Sequence, residues 1–184
     1  MTLPRAALSF FAIFVVSVHP ASAQTPSQQE TQQSCRKFVQ DFYDWYLTKA
    51  LAGKLPSPSS NLALQRKPEA FSAELYHRLK EDRDAQDKTP GELVGLDLDP
   101  FLNSQDPSPH FAVVGITRKG ASYWVDVYGM ESGKRQEHVI PELVQQNGRW
   151  IFVNFHYGKN EWTDDSNLLS VLKTLRDERE KNPQ

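Results

Sequence analysis

Carboxylates, histidines and amides gather in two places in this sequence, and those places carry what chemistry it offers. The first holds Asp97, Asp99, Asn103, Gln105 and Asp106, oxygen donors close together in the chain. Such a set suits calcium, a hard cation that takes about six to eight oxygen ligands. The spacing is not that of an EF-hand. Counted from Asp97, Leu102 stands where that loop needs glycine and Ser108 where it needs glutamate. In the plainer reading these aspartates cap turns around Pro100, with Phe101 turned into the core. Asp97, Asp99 and Asp106 stand as the metal alternative to that reading, and no cofactor is expected.

The second place is a pair of alternating runs. Tyr123, Val125 and Val127 alternate with Trp124, Asp126 and Tyr128; Ile151, Val153 and Phe155 alternate with Trp150, Phe152, Asn154 and His156. If the polar-bearing sets share one face of a sheet, Asp126, Asn154 and His156 sit among Trp124, Tyr128, Trp150 and Phe152. Apolar walls with a few converging polar groups are the general form of a small-molecule pocket. Asp126 beside His156 would suit proton transfer, provided burial and hydrogen bonding tuned the pair. The plainer alternative is an amphipathic sheet, with aromatics packed under a helix and polar groups at its wet rim.

Other chemistries find no support. Ser122 lacks the Gly-x-Ser-x-Gly elbow that exposes a nucleophile. His77, His110, His138 and His156 include no His-x-x-x-His pair for zinc. Cys35 has no identifiable activating base and sits among apolar helix neighbours, as a buried thiol does. The balance favours a domain that is not an enzyme.

The elements that must position these residues follow from periodicity. Residues 24–33 are polar and read as a disordered leader. A first helix is expected over 34–54, because Cys35, Phe38, Val39, Phe42, Trp45, Tyr46 and Leu51 recur at three and four. Its aromatics cover more than one face, so Tyr43 or Tyr46 is a candidate for an exposed partner-binding patch. Residues 55–67 read as a loop, and Pro68 opens a second helix carrying Phe71, Leu75 and Leu79. A long crossing loop then spans 82–110. Four strands are expected over 111–117, 122–128, 137–144 and 150–157, joined by glycine-bearing turns. Asn147-Gly148 is the strongest hairpin signal, since both residues accept positive φ. Pro141 calls for a bulge or an edge. A last helix after Asp164 and Asp165 carries Leu168, Leu169, Leu172 and Leu175, which either dock on the domain or face a partner's groove.

This order gives an α+β fold: N-terminal helices packed on a curved antiparallel four-stranded sheet, plus a C-terminal helix. It is the element order of the cystatin-like and nuclear transport factor 2-like folds. The expected organisation is a signal peptide over 1–23, the leader over 24–33, one domain over 34–160, and a C-terminal helix and tail over 161–184.

The signal peptide rests on Arg5, the apolar run Ala6 to Val18 and the small-x-small Ala21-Ser22-Ala23. That run is shorter than the roughly 20 residues that cross a bilayer. Cleavage near Ala23 predicts a secreted or periplasmic product, and Cys35 is too far from that point to carry a lipid anchor. With 21 basic against 23 acidic residues and no basic stripe, nucleic acid is excluded as a partner, as is stable membrane attachment. An envelope protein or a small apolar ligand is the expected partner.

Several stretches together carry a family likeness. They are Phe38-Val39-Gln40-Asp41-Phe42-Tyr43-Asp44-Trp45-Tyr46-Leu47, then Gly95-Leu96-Asp97-Leu98-Asp99-Pro100-Phe101 with Gln105-Asp106, Tyr123-Trp124-Val125-Asp126-Val127, and Gly148-Arg149-Trp150-Ile151-Phe152-Val153-Asn154. In order and spacing the chain resembles the bacterial family called domain of unknown function 3828, over residues 36–157. The resemblance implies a nuclear transport factor 2-like envelope domain and brings no catalytic residues. The chain departs from the family's lipoprotein members in lacking the lipidated cysteine.

The expected function is that of an exported, non-enzymatic binding or accessory domain, with an inhibitory or immunity-like role as one version. The alternative is a small isomerase- or hydrolase-like enzyme using Asp126 and His156.

Overall fold

The computed structural model describes residues 27–52, 60–158 and 167–181. The expected signal peptide, Asp164 and Asp165 lie outside them.

Helix α1 runs Gln28–Ala50 and starts inside the stretch that composition marks as a leader. Ser27 accepts from the Glu30 backbone N–H while Glu30 returns to the Ser27 N–H. This capping box satisfies two otherwise orphaned donors, so polar residues 28–33 are helical. A short helix α2, Ser60–Arg66, occupies part of the expected loop. Pro68–Ala70 forms one 3-10 turn, and α3 follows as Ala73–Lys88 with Ser72 capping the Leu75 N–H. The second helix therefore begins later than Pro68 and reaches further, and the crossing segment shortens to 89–109.

Four antiparallel strands follow in sequence order: β1 His110–Lys119, β2 Ser122–Glu131, β3 Lys134–Gln146 and β4 Arg149–Tyr157. Asn147 and Gly148 both take positive φ (50° and 75°), as a type I′ turn requires. Pro141 lies in an interior strand, and the β3–β4 register shifts at Glu142/Leu143 beside it. The sequence's demand for a bulge is met there. The fold class is α+β as expected, and helix α4, Leu168–Lys181, completes it.

The core lies between the sheet and α1. Phe42 is at its centre, its ring 4.9 Å from Phe152, 5.5 Å from Tyr46 and 5.8 Å from Phe101. Hydroxyls converge on the crossing segment: Tyr43 donates to the Phe101 carbonyl (2.9 Å), Tyr157 to that of Pro100 (3.1 Å) and Tyr46 to Asp99 Oδ2 (2.5 Å). A buried hydroxyl needs such a partner, so these bonds fix the segment against the helix and the sheet.

Both sheet edges are covered in part. The Gln40 amide donates to the Phe111 carbonyl and accepts from the Val113 N–H, while Arg36 donates to the Val113 carbonyl. Side chains of α1 thus take the place of a further strand along the start of β1. On the other edge, the Ser72 N–H donates to the Phe152 carbonyl.

Helix α4 docks rather than facing outward. Leu168 and Leu172 are buried, and Arg179 pairs with the buried Asp82 of α3 at 2.7 Å. Asp82 also accepts the Leu96 N–H, which ties α3, α4 and the crossing segment together.

Candidate functional site

The face of the sheet opposite α1 carries the candidate site. Trp124, Asp126 and Tyr128 of β2 lie on it with their side chains partly exposed, while Tyr123, Val125 and Val127 turn into the core. On β3 the same alternation sends Val139 and Leu143 inward and leaves His138, Ile140 and Glu142 on the open face. Register then sets the neighbours: Trp124 opposes Glu142, Tyr128 opposes His138, and Ile140 opposes His156.

Two similar groups result. In one, His138 Nε2 lies 3.2 Å from Asp126 Oδ1, and the His138 ring stacks on Tyr128 at 4.1 Å between centroids. In the other, His156 Nε2 lies 2.9 Å from Glu142 Oε2, and the His156 ring stacks on Trp124 at 3.8 Å. A cation sits over each aromatic ring: Arg135 over Tyr128 at 4.7 Å and Lys119 over Trp124 at 3.3 Å. Each group therefore joins a cation, an aromatic ring, an imidazole and a carboxylate. The side chains of His138 and His156 are 25% and 18% exposed, so both are held in place yet reachable from solvent.

Asp126 and His156 share the face but are not partners. Strand β3 separates them, which sets their backbones roughly 10 Å apart at two strand spacings. Each is engaged by a residue of β3 instead. An acid–base pair made of these two side chains is not assembled.

The remaining expected members of the pocket separate from it. Trp150 is buried on the helix side, its ring 5.0 Å from Tyr123 and its indole N–H donated to Ser34 (2.7 Å). Phe152 is fully buried in the core. The reason is the register shift beside Pro141. Leu143 opposes Phe152 but Glu142 opposes Asn154, so Val153 is the extra residue and the alternation changes phase across it. Sequence parity alone places Trp150, Phe152, Asn154 and His156 together, and the bulge divides them. Asn154 serves the last helix: its Oδ1 accepts the Leu169 N–H (3.2 Å) and its amide donates to Asn167 (2.9 Å).

The expected partner patch on helix α1 does not form. Tyr43 and Tyr46 have no exposed surface, because the crossing segment and Phe71 cover the side of the helix that the sheet leaves. Trp45, like Phe38, is partly exposed on this helix, and Lys67 Nζ lies 4.8 Å from the Trp45 ring. Burial pushes the Tyr43 hydroxyl well above its ordinary pKa, helped by Asp99 and Tyr157.

The acidic cluster is structural. Asp99 accepts Tyr46 and the Phe101 N–H, and Asp97 accepts the Gln105 amide at 2.6 Å. Asp106 is exposed, and its N–H donates to Ser104. Among the described residues, no group of three or more His, Cys, Asp or Glu is placed to hold a metal ion. Cys35 is fully buried, and burial pushes its thiol up to about 12.

Sequence reasoning missed His138, Glu142, Lys119 and Arg135. The signal was present for two of them: His138 and Glu142 stand four apart in one strand, so period two puts them on one face. It missed Glu137 as well. That carboxylate accepts the Ser108 N–H and hydroxyl (2.9 and 2.6 Å) and crosses Gly129, where a Cβ would come within 1.9 Å of Glu137 Oε2. Only glycine leaves that path open.

Among the described residues, no helix is long and apolar enough to cross a membrane. Comparison with protein-family models, with curated proteins and with solved structures gives no match.

Proposed function

We propose that this chain is an exported, non-enzymatic binding or accessory domain of the bacterial envelope, and that it engages a partner protein through the open face of its sheet. In this reading it is a relative of the domain of unknown function 3828 family on a nuclear transport factor 2-like or cystatin-like plan, released near Ala23 and carrying no membrane anchor. An inhibitory or immunity-like role is one version.

The observation that carries the reading is the paired arrangement of Trp124 with His156 and Tyr128 with His138 on a face that the described residues leave partly exposed. Aromatic and arginine side chains are the groups that supply most binding energy at protein interfaces. Here Arg135 lies over Tyr128 and Lys119 over Trp124 on the same face, ordered before any partner arrives, so little side-chain entropy is lost on docking. On the helix side of the sheet Phe42, Phe101 and Phe152 fill the space against α1. Asp126 and His156, which the enzyme alternative pairs with each other, are each engaged by a residue of β3 instead.

The test is affinity capture from an envelope extract with the wild-type protein and with Trp124→Ala. The reading expects one stoichiometric protein retained by the wild type and released by the variant. Equal retention by both would remove the open face as the binding surface. Amino-terminal sequencing of the protein from the envelope fraction tests export, with Gln24 as the expected first residue.

A further inference from the structure

A groove lies away from that sheet face, where the last turns of α1 meet the start of β1. It is an open groove of about 440 Å³, within the range of small-ligand sites. Leu47, Leu51, Pro109 and Phe111 give it an apolar wall, and Leu51 is 47% exposed at its rim. Gln40, Asp44 and Thr48 line the helix side, and His110 lies at the opposite rim.

Asp44 supplies the groove's carboxylate, and it is held in position. Its Oδ1 accepts the Gln40 amide (2.9 Å), which is anchored in turn on the Phe111 carbonyl and the Val113 N–H. Asp41, three residues earlier in the same helix, is neutralised by Lys37 at 2.7 Å. Asp44 has no such cation among the described residues. Thr48 donates its hydroxyl hydrogen to the Asp44 carbonyl, which leaves the hydroxyl lone pairs free to accept. The polar end of the groove therefore offers a carboxylate and a hydroxyl acceptor, and among the described residues its lining holds no arginine or lysine.

We propose that this groove binds a small organic ammonium ion: a primary amine on a short apolar stem. The ammonium group carries three donors and no acceptor, which complements Asp44 and Thr48. The stem covers the exposed Leu51 and Pro109, over a floor of buried Leu47 and Phe111, and removes apolar surface from water. A carboxylate on the same stem would be repelled by Asp44. The site is separate from the open sheet face, so it stands or falls independently of the binding role given to Trp124 and Tyr128.

The probes are phenethylamine and 3-phenylpropionate, which share an aryl stem and differ in charge, titrated against the 15N-labelled protein at neutral pH. Phenethylamine is expected to shift the amides of Asp44, Leu47, Thr48, Leu51 and Phe111 saturably, with Kd of about 1–10 mM as suits a fragment of its size in an open groove. Phenylpropionate is expected to leave them in place. Asp44→Asn keeps the bond to Gln40 and should weaken the amine about tenfold; Leu51→Ser, at an exposed position, should weaken it about threefold. Equal shifts with both probes, shifts that never saturate, or unchanged amine binding by Asp44→Asn would each overturn the proposal.

Discussion

The two faces of the sheet use aromatic side chains in opposite ways. On the helix side, Phe42, Phe101 and Phe152 meet other rings and no water, and the tyrosine hydroxyls are spent on the backbone and carboxylate of residues 99–101. On the open side, Trp124 and Tyr128 meet imidazoles and cations and stay partly exposed. Rings that meet rings hold the fold; rings that meet charged groups at the surface are available to a partner. The difference lies less in residue type than in what the next strand or segment places over the ring.

The largest effect should come from the helix side. Phe101→Ala removes a fully buried ring from among Phe42, Tyr46, Phe71 and Phe155, and should cost about 3–5 kcal/mol in urea unfolding. A loss no greater than that of an open-face substitution would break the comparison.

Tyr46→Phe keeps the ring and deletes one hydroxyl. It withdraws the 2.5 Å bond to the buried Asp99 and should cost about 1–3 kcal/mol, with faster hydrogen exchange at the Phe101 and Leu102 amides. Unchanged exchange there would mean that the hydroxyl does not fix the crossing segment.

Alkali should act on the same side. Burial raises the Cys35 thiol from 9.0 to about 12, so the folded state favours the protonated form. The stability that this supplies is complete below the unfolded value of 9.0 and is lost as pH rises toward 12, by about 1.4 kcal/mol per pH unit. Cys35→Ser should flatten the early part of that loss in a pH series of urea midpoints. Tyr43 and Tyr157, also raised by burial, add to it above pH 10.0.

On the open side His138→Ala should be the mildest change. The imidazole is partly solvated and its pair with Asp126 is exposed, so the cost should stay within about 1 kcal/mol in the same unfolding assay. A loss near that of Phe101→Ala would show that the open face also holds the fold.

The sequence makes one of these faces far more readable than the other. Strand positions, the Asn147-Gly148 turn, the bulge near Pro141 and the apolar stripe of Leu168 and Leu172 are local signals, written in alternation, turn chemistry and helical spacing. The start of α1 was hidden because its capping box sits in a polar stretch with no apolar period to mark it. The candidate site was half legible. Alternation placed Trp124, Asp126 and Tyr128 together, but the partners depend on register. A one-residue phase change at Val153 sent Trp150 and Phe152 to the core and left His156 outside, opposite Ile140. The choice of Tyr43 or Tyr46 as a candidate for an exposed patch fails because the segment that covers them is distant in sequence and has no period of its own.

The most direct test of the division between faces combines Trp124→Thr with Tyr128→Thr, which removes both open-face rings and keeps β-branched residues in the strand. Urea unfolding and affinity capture are measured on the same preparation. The account predicts a folded protein that loses less stability than Phe101→Ala alone and no longer retains its partner. A double variant that unfolds, or one that retains the partner at the wild-type level, would contradict it.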